Sequence, residues 1–84
     1  MSIKLNFKTG ESLELQSNES MAIESIESFK DYTYITFKAL IDIDMSKEAF
    51  NWLNMKFVTD VVVLKDKFIT KISNRLLSNT LITY

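Results

Sequence analysis

The sequence contains no cysteine and no histidine, and only one glycine. Without imidazole or thiolate, the common zinc sites, the Ser-His-Asp and Cys-His triads and imidazole acid–base catalysis lack their ligands and bases. One glycine cannot supply a Walker loop or a dinucleotide fingerprint, which need several to bring backbone N–H groups against phosphate. No disulfide can form. A chain of 84 residues therefore draws its stability from one apolar core, or from a partner that completes it. A domain this small buries only about 60–65% of its unfolded surface. The lack of cysteine suits a reducing cytoplasm. No stretch approaches the ~18 consecutive apolar residues of a membrane span. Met1-Ser2-Ile3-Lys4 opens on polar–apolar alternation and not on the apolar core of a signal peptide. The expectation is a cytoplasmic protein, not exported through a cleaved signal, with no membrane partner.

What is present describes a globular chain: 46% apolar and 25% charged residues, ordinary for one folded domain spanning 1–84. The organising stretch is Tyr32–Ile43. Read with period two, Ile35, Phe37, Ala39, Ile41 and Ile43 share one face, and Tyr32, Tyr34, Thr36, Lys38 and Asp42 the other, with Leu40 the apolar exception. Such alternation is what a half-buried strand needs, because successive side chains point to opposite sides of a sheet.

Ahead of it, Ile3, Leu5 and Phe7 alternate with lysine and asparagine, and Leu13 and Leu15 with Glu14 and Gln16. Thr9-Gly10 between them predicts a two-residue hairpin turn, with Lys4 and Lys8 facing Glu11 and Glu14 across it. Ser17–Ser20 reads as a loop. Met21–Phe29 fits either helical turns through Ile23, Ile26 and Phe29 or an irregular strand; the strand, turning through Phe29-Lys30-Asp31, is preferred. After the long strand, Ser46 reads as an N-cap, with a Met45–Phe50 hydrophobic staple. The helix it starts covers about 46–56, with Ala49, Phe50, Leu53 and Phe57 turned to the core and Lys47, Glu48, Asn51 and Asn54 turned away.

Val58–Leu64 is apolar on both faces, which predicts a strand inside the sheet or under a second layer. Lys65–Lys67 turns the chain and Phe68–Ile72 returns as a strand, although Leu64, Phe68, Ile72 and Leu76 also fall at helical spacing. Asn74–Asn79 reads as an irregular link before a last strand, Thr80–Tyr84. The fold class is α+β: a mostly antiparallel sheet of five to six short strands with one helix packed on one face.

The order of these segments resembles that of small accessory or virion-associated proteins of tailed bacteriophages of Gram-positive hosts. The shared outline is an amphipathic strand ending in Lys8-Thr9-Gly10, a polar segment and the long strand Tyr34–Ile43. A helix start at Ser46-Lys47-Glu48 and a hairpin like Val61–Ile72 follow, and Asn74–Asn79 departs from the outline. The resemblance implies a non-catalytic viral protein of the host cytoplasm or the virion. It transfers no functional residues.

Several clusters compete as sites. Trp52, off the main helical stripe and beside Met55, suits either a docking anchor or packing on the sheet rim, since aromatic and methionine side chains are enriched in interface cores. Tyr32 and Tyr34 suit an interface or plain strand propensity. Lys65, Lys67, Lys71 and Arg75 around Phe68 form a candidate basic patch, which with exposed tyrosines could stack and neutralise nucleic acid. The overall charge of −1 and the single arginine disfavour that. Glu24, Glu27 and Asp31, with Glu11, Glu14 and Glu19, form a candidate acidic patch of the kind an enzyme inhibitor could present. Asp42 and Asp44 share a strand face but read as solvated or capping groups. The chain is expected to be no enzyme, without cofactor, metal or catalytic residues. It is read as a module that binds another protein or itself as a homo-oligomer, with an acidic inhibitor and a nucleic-acid binder as the alternatives.

Overall fold

The computed structural model describes all 84 residues. The first alternating segments form β1 (Ser2–Phe7) and β2 (Ser12–Gln16). Ile3, Leu5 and Phe7 of β1 are buried. The turn is longer than the spacing predicts. The Phe7 N–H donates to the Glu11 carbonyl at 2.9 Å, so Lys8, Thr9 and Gly10 form a three-residue loop. Gly10 adopts φ +92°, the left-handed region such a loop assigns to glycine.

β3 (Met21–Ser28) pairs antiparallel with β4 (Tyr32–Ala39). The ambiguous segment is thus a strand, and its bulge between Ile23 and Ser25 explains the ambiguity. One extra residue resets the inward parity, placing Ile23 and Ile26 at a spacing that imitates a helix. On β4, Thr33, Ile35 and Phe37 point inward and are buried. The expected strand to Ile43 is corrected: β4 ends at Ala39, and Leu40 and Ile41 are exposed. The cause lies in its neighbours. Ala39 pairs with the first residue of β3, and Lys38 with the first residue of the strand on its other side, so beyond Ala39 only the Leu40 N–H finds a backbone partner there, the Ser20 carbonyl at 2.9 Å.

The helix α1 (Met45–Trp52) is capped by Asp44, whose side chain accepts the Ser46 N–H at 3.0 Å, so the cap lies two residues before the expected Ser46. Its core-facing line is Met45, Ala49 and, just past its end, Leu53. Phe50, expected on that line, is 69% exposed, as a position about 100° further round requires; with Phe50 in solvent the staple is not formed. The helix stops short of residue 56. Leu53 is extended, and the Asn54 side chain accepts the Lys56 N–H at 3.1 Å to start a separate 3₁₀ turn, Met55–Phe57.

β5 (Asp60–Val63) and β6 (Lys67–Ser73) form the next hairpin, and after a 3₁₀ turn at Asn74–Leu76 the chain ends in β7 (Leu77–Thr83). The seven strands make two antiparallel sheets, β2-β1-β7 and β3-β4-β6-β5. This is the α+β, mostly-sheet class the sequence predicts, with the strands divided between two sheets. The valine-rich β5, expected inside the sheet or under a second layer, is an edge strand with Val62 and Val63 exposed.

A single cluster of 14 buried apolar residues joins the inner faces of both sheets to α1 and the first 3₁₀ turn. Its aromatic spine is Phe7 stacked on Phe57 at 3.7 Å, and Phe37 stacked on Phe68 at 4.5 Å with Trp52 edge-on to Phe37 at 5.4 Å. Such pairs add roughly 0.5–1.5 kcal/mol beyond area burial. Asn74 fastens the second crossover between the sheets. Its Oδ1 accepts from buried Thr33 at 2.6 Å, and its Nδ2 donates to the Phe29 carbonyl at 2.6 Å.

Candidate interaction surface

The four-stranded sheet has the core, α1 and the other sheet on one side only. Its outer face is uncovered. Alternation puts Tyr32, Tyr34, Thr36 and Lys38 of β4 on that face beside Lys67, Ile69, Lys71 and Ser73 of β6, in direct register. Phe29, exposed in the β3–β4 turn, meets Tyr34 edge-on at 5.7 Å between ring centroids. The Lys71 ammonium stands 4.0 Å over the Tyr32 ring, a cation–π contact. Phe29, Tyr32, Tyr34, Thr36 and Ile69 border a depression of about 600 Å³, with Glu27, Lys30 and Asp31 at its rim. Tyr32 and Tyr34 of the sequence reading therefore share one surface, and Phe29 and Ile69, which that reading passed over, complete it. The signal for Phe29 was its place between two strands of opposite direction, where a large apolar residue has no core to enter.

The basic and acidic candidates meet on this same face. Lys67 donates to both carboxylate oxygens of Glu24, at 3.0 and 3.1 Å, which also relieves its position directly across from Lys38. Asp60 lies across from Lys71 and Glu27 across from Tyr34. Lys65 is in the β5–β6 turn and Arg75 in the second 3₁₀ turn, off the face. Charges that looked like two patches in sequence are interleaved in space. Across the whole chain, two of the three ion pairs, Glu11–Lys56 and Glu24–Lys67, join residues 45 and 43 positions apart in sequence.

Trp52 and Met55 are separated. The Trp52 ring is half-buried against Phe37 and borders a shallow depression beside Leu15 and Asn51. Met55 belongs instead to a groove of about 370 Å³ between α1 and β5, with Phe50, Val58 and Val63. The end of α1 at Trp52 causes this: the extended Leu53 turns the chain before Met55.

Glu11 is the one titratable group clearly shifted, held below the usual carboxylate range mainly by its hydrogen bond from Lys56 at 2.8 Å, with smaller help from Thr9. It is exposed at the surface. Asp44 is engaged as the helix cap, and no three carboxylates converge as metal ligands. No helix is long and apolar enough to cross a membrane.

Fold and surface together define a small α+β domain of two antiparallel sheets with an aromatic, uncovered sheet face. The chain matches no protein-family model, no curated protein and no solved structure.

Proposed function

We propose that this chain is a non-catalytic protein-interaction module, and that its partner seats on the outer face of the four-stranded sheet. The observation that carries the reading is the aromatic depression formed by Phe29, Tyr32 and Tyr34 on a face with no second layer. Aromatic anchors with rigid side chains are what the centres of protein interfaces are built from. The charges around it, Glu27 and Asp31 against Lys30 and Lys71, sum to zero. The surface it complements is therefore an apolar, near-neutral protein patch. A polyanion would need uncompensated cations, and here Lys67 is held by Glu24. The same pairing weakens the acidic-inhibitor alternative, which needs Glu24 free. The resemblance to phage accessory proteins adds the setting, a bacterial cytoplasm or a virion.

A photo-crosslinking phenylalanine analogue at Tyr34 tests this in cells expressing the chain at native level. A discrete protein adduct is expected at Tyr34, and none at Lys47 on the far side of α1. It should survive a rise in salt, because screening acts on charges and not on apolar contact. Adducts with nucleic acid, equal adducts at both positions, or none at Tyr34 would overturn the reading.

A further inference from the structure

The two sheets expose four edge strands: β2, β7, β3 and β5. Unpaired edges invite association, and proteins blunt them with charge, bulges or brevity. Three of the four carry such devices. β2 has five residues with Glu14 inside it. β3 carries Glu24 and Glu27 and a bulge between Ile23 and Ser25. β5 has four residues, and the Asp60 side chain occupies its Val61 N–H at 2.9 Å. β7 differs. It has seven residues, and the run from Leu76 to Tyr84 contains no charged side chain. Its one irregularity is opposite Asn6 and Phe7, leaving Asn79–Thr83 in unbroken register with β1. Leu81 is 54% and Ile82 38% exposed.

From the edge left unguarded and its parity, we infer that β7 pairs with β7 of a second copy of this chain. The β1–β2 ladder begins and ends with bonds at Met1–Ser17 and Phe7–Glu11. Alternation therefore turns the odd residues of β1 to β2 and the even ones to β7. Ser2, Lys4 and Asn6 pair with Thr83, Leu81 and Asn79. The backbone groups of Thr80 and Ile82 point away from β1, into solvent. Two antiparallel copies of β7 related by a two-fold axis at Leu81 bring Thr80 of each opposite Ile82 of the other. Both residues then exchange N–H and C=O bonds in full, and the two three-stranded sheets become one continuous sheet, β2-β1-β7-β7-β1-β2.

A two-fold axis sets each residue near it close to its own twin, so any formal charge there repels itself. An uncharged strand meets that condition. Leu81 falls on the axis in a non-hydrogen-bonded pair, where side chains approach closest, and the nearest lysine, Lys4, reaches away from the axis to Glu14 at 3.9 Å. This pairing lies apart from the aromatic face and stands independently of the partner proposed there.

Sedimentation of the purified chain over a range of concentrations tests the inference. A dimer is expected. Leu81→Lys, a change at an exposed position, should weaken it about 100-fold or more through the facing ammonium groups, with the circular dichroism spectrum unchanged. Leu40→Lys, equally exposed but off the edge, should leave the dimer intact. Mixing Leu81→Lys with Leu81→Glu should restore association as a heterodimer, because across the dimer seam position 81 faces only its own twin. A wild-type monomer at all concentrations, a Leu81→Lys dimer of unchanged strength, or a mixture that stays monomeric would overturn it. The crosslink at Tyr34 should persist in Leu81→Lys, so the two proposals fail separately.

Discussion

Thr70 is fully buried on the inner face of β6, and its hydroxyl has no hydrogen-bond partner. Its counterpart on β4, Thr33, is also buried but bonded to both Ser28 and Asn74. Two threonines in one core thus have opposite energetics. An orphaned buried hydroxyl keeps its desolvation cost without recompense, so Thr70→Val should raise stability by about 1 kcal/mol and the melting temperature by roughly 4–8 °C for a domain of this size. Thermal unfolding measures it, and a lower melting temperature would show that the hydroxyl does find a partner. Glu11 illustrates a third residue-level case. With its carboxyl held below the unfolded value by Lys56, what it contributes is in place above the unfolded pKa and lost as pH falls through the folded one.

At the scale of elements, the β1–β2 hairpin rests on one backbone conformation. A Cβ built on Gly10 meets nothing within 4 Å, so the cost of substituting it is backbone strain alone. Gly10→Ala should cost about 1–2 kcal/mol, and Gly10→Asn clearly less, because asparagine tolerates the left-handed region. Urea denaturation of the two variants checks the ordering; an alanine variant as stable as wild type would mean that the loop can adopt another turn. This hairpin was legible in the sequence because every signal it uses is local. The same holds for the inward set Ile35 and Phe37 and for the start of α1, although the cap moved from Ser46 to Asp44 and the Met45–Phe50 staple does not form.

What the sequence hid was non-local. β4 ends where its two neighbours begin, a fact that no reading of Leu40–Ile43 contains. The valine run of β5 looks like an interior strand by composition, yet strand order places it at an edge. The division into two sheets depends on β7 meeting β1 across almost the whole chain, and the paired charges of the outer face depend on β3 lying two strands from β6. The bulge in β3 hid a local signal by breaking its parity. The candidate surface was half legible for the same reason: Tyr32 and Tyr34 alternate visibly, whereas Phe29 and Ile69 join them only through the turn and the register.

At the scale of the molecule, the two sheets have no separate cores. Phe7 of one sheet stacks on Phe57, which follows α1, and that helix lies against β5 and β6 of the other. The protein should therefore unfold in a single transition. Amide exchange at Leu5 and at Phe37, one in each sheet, should report the same opening free energy. Phe57→Ala, which empties the shared centre at about 3–5 kcal/mol, should lower both together. Two separable transitions would mean that the sheets are independent folding units.

The adjacency of β1 and β7 in one sheet also orders events during synthesis. Of these seven strands β1 leaves the ribosome before the others, and it waits for β7 before it gains its second neighbour. At about 5–20 residues per second, translation leaves that flank bare for several seconds, and closing so distant a pairing slows folding further. In a nascent chain of this protein the β7-facing edge of β1 stays unpaired until Leu77–Thr83 have emerged.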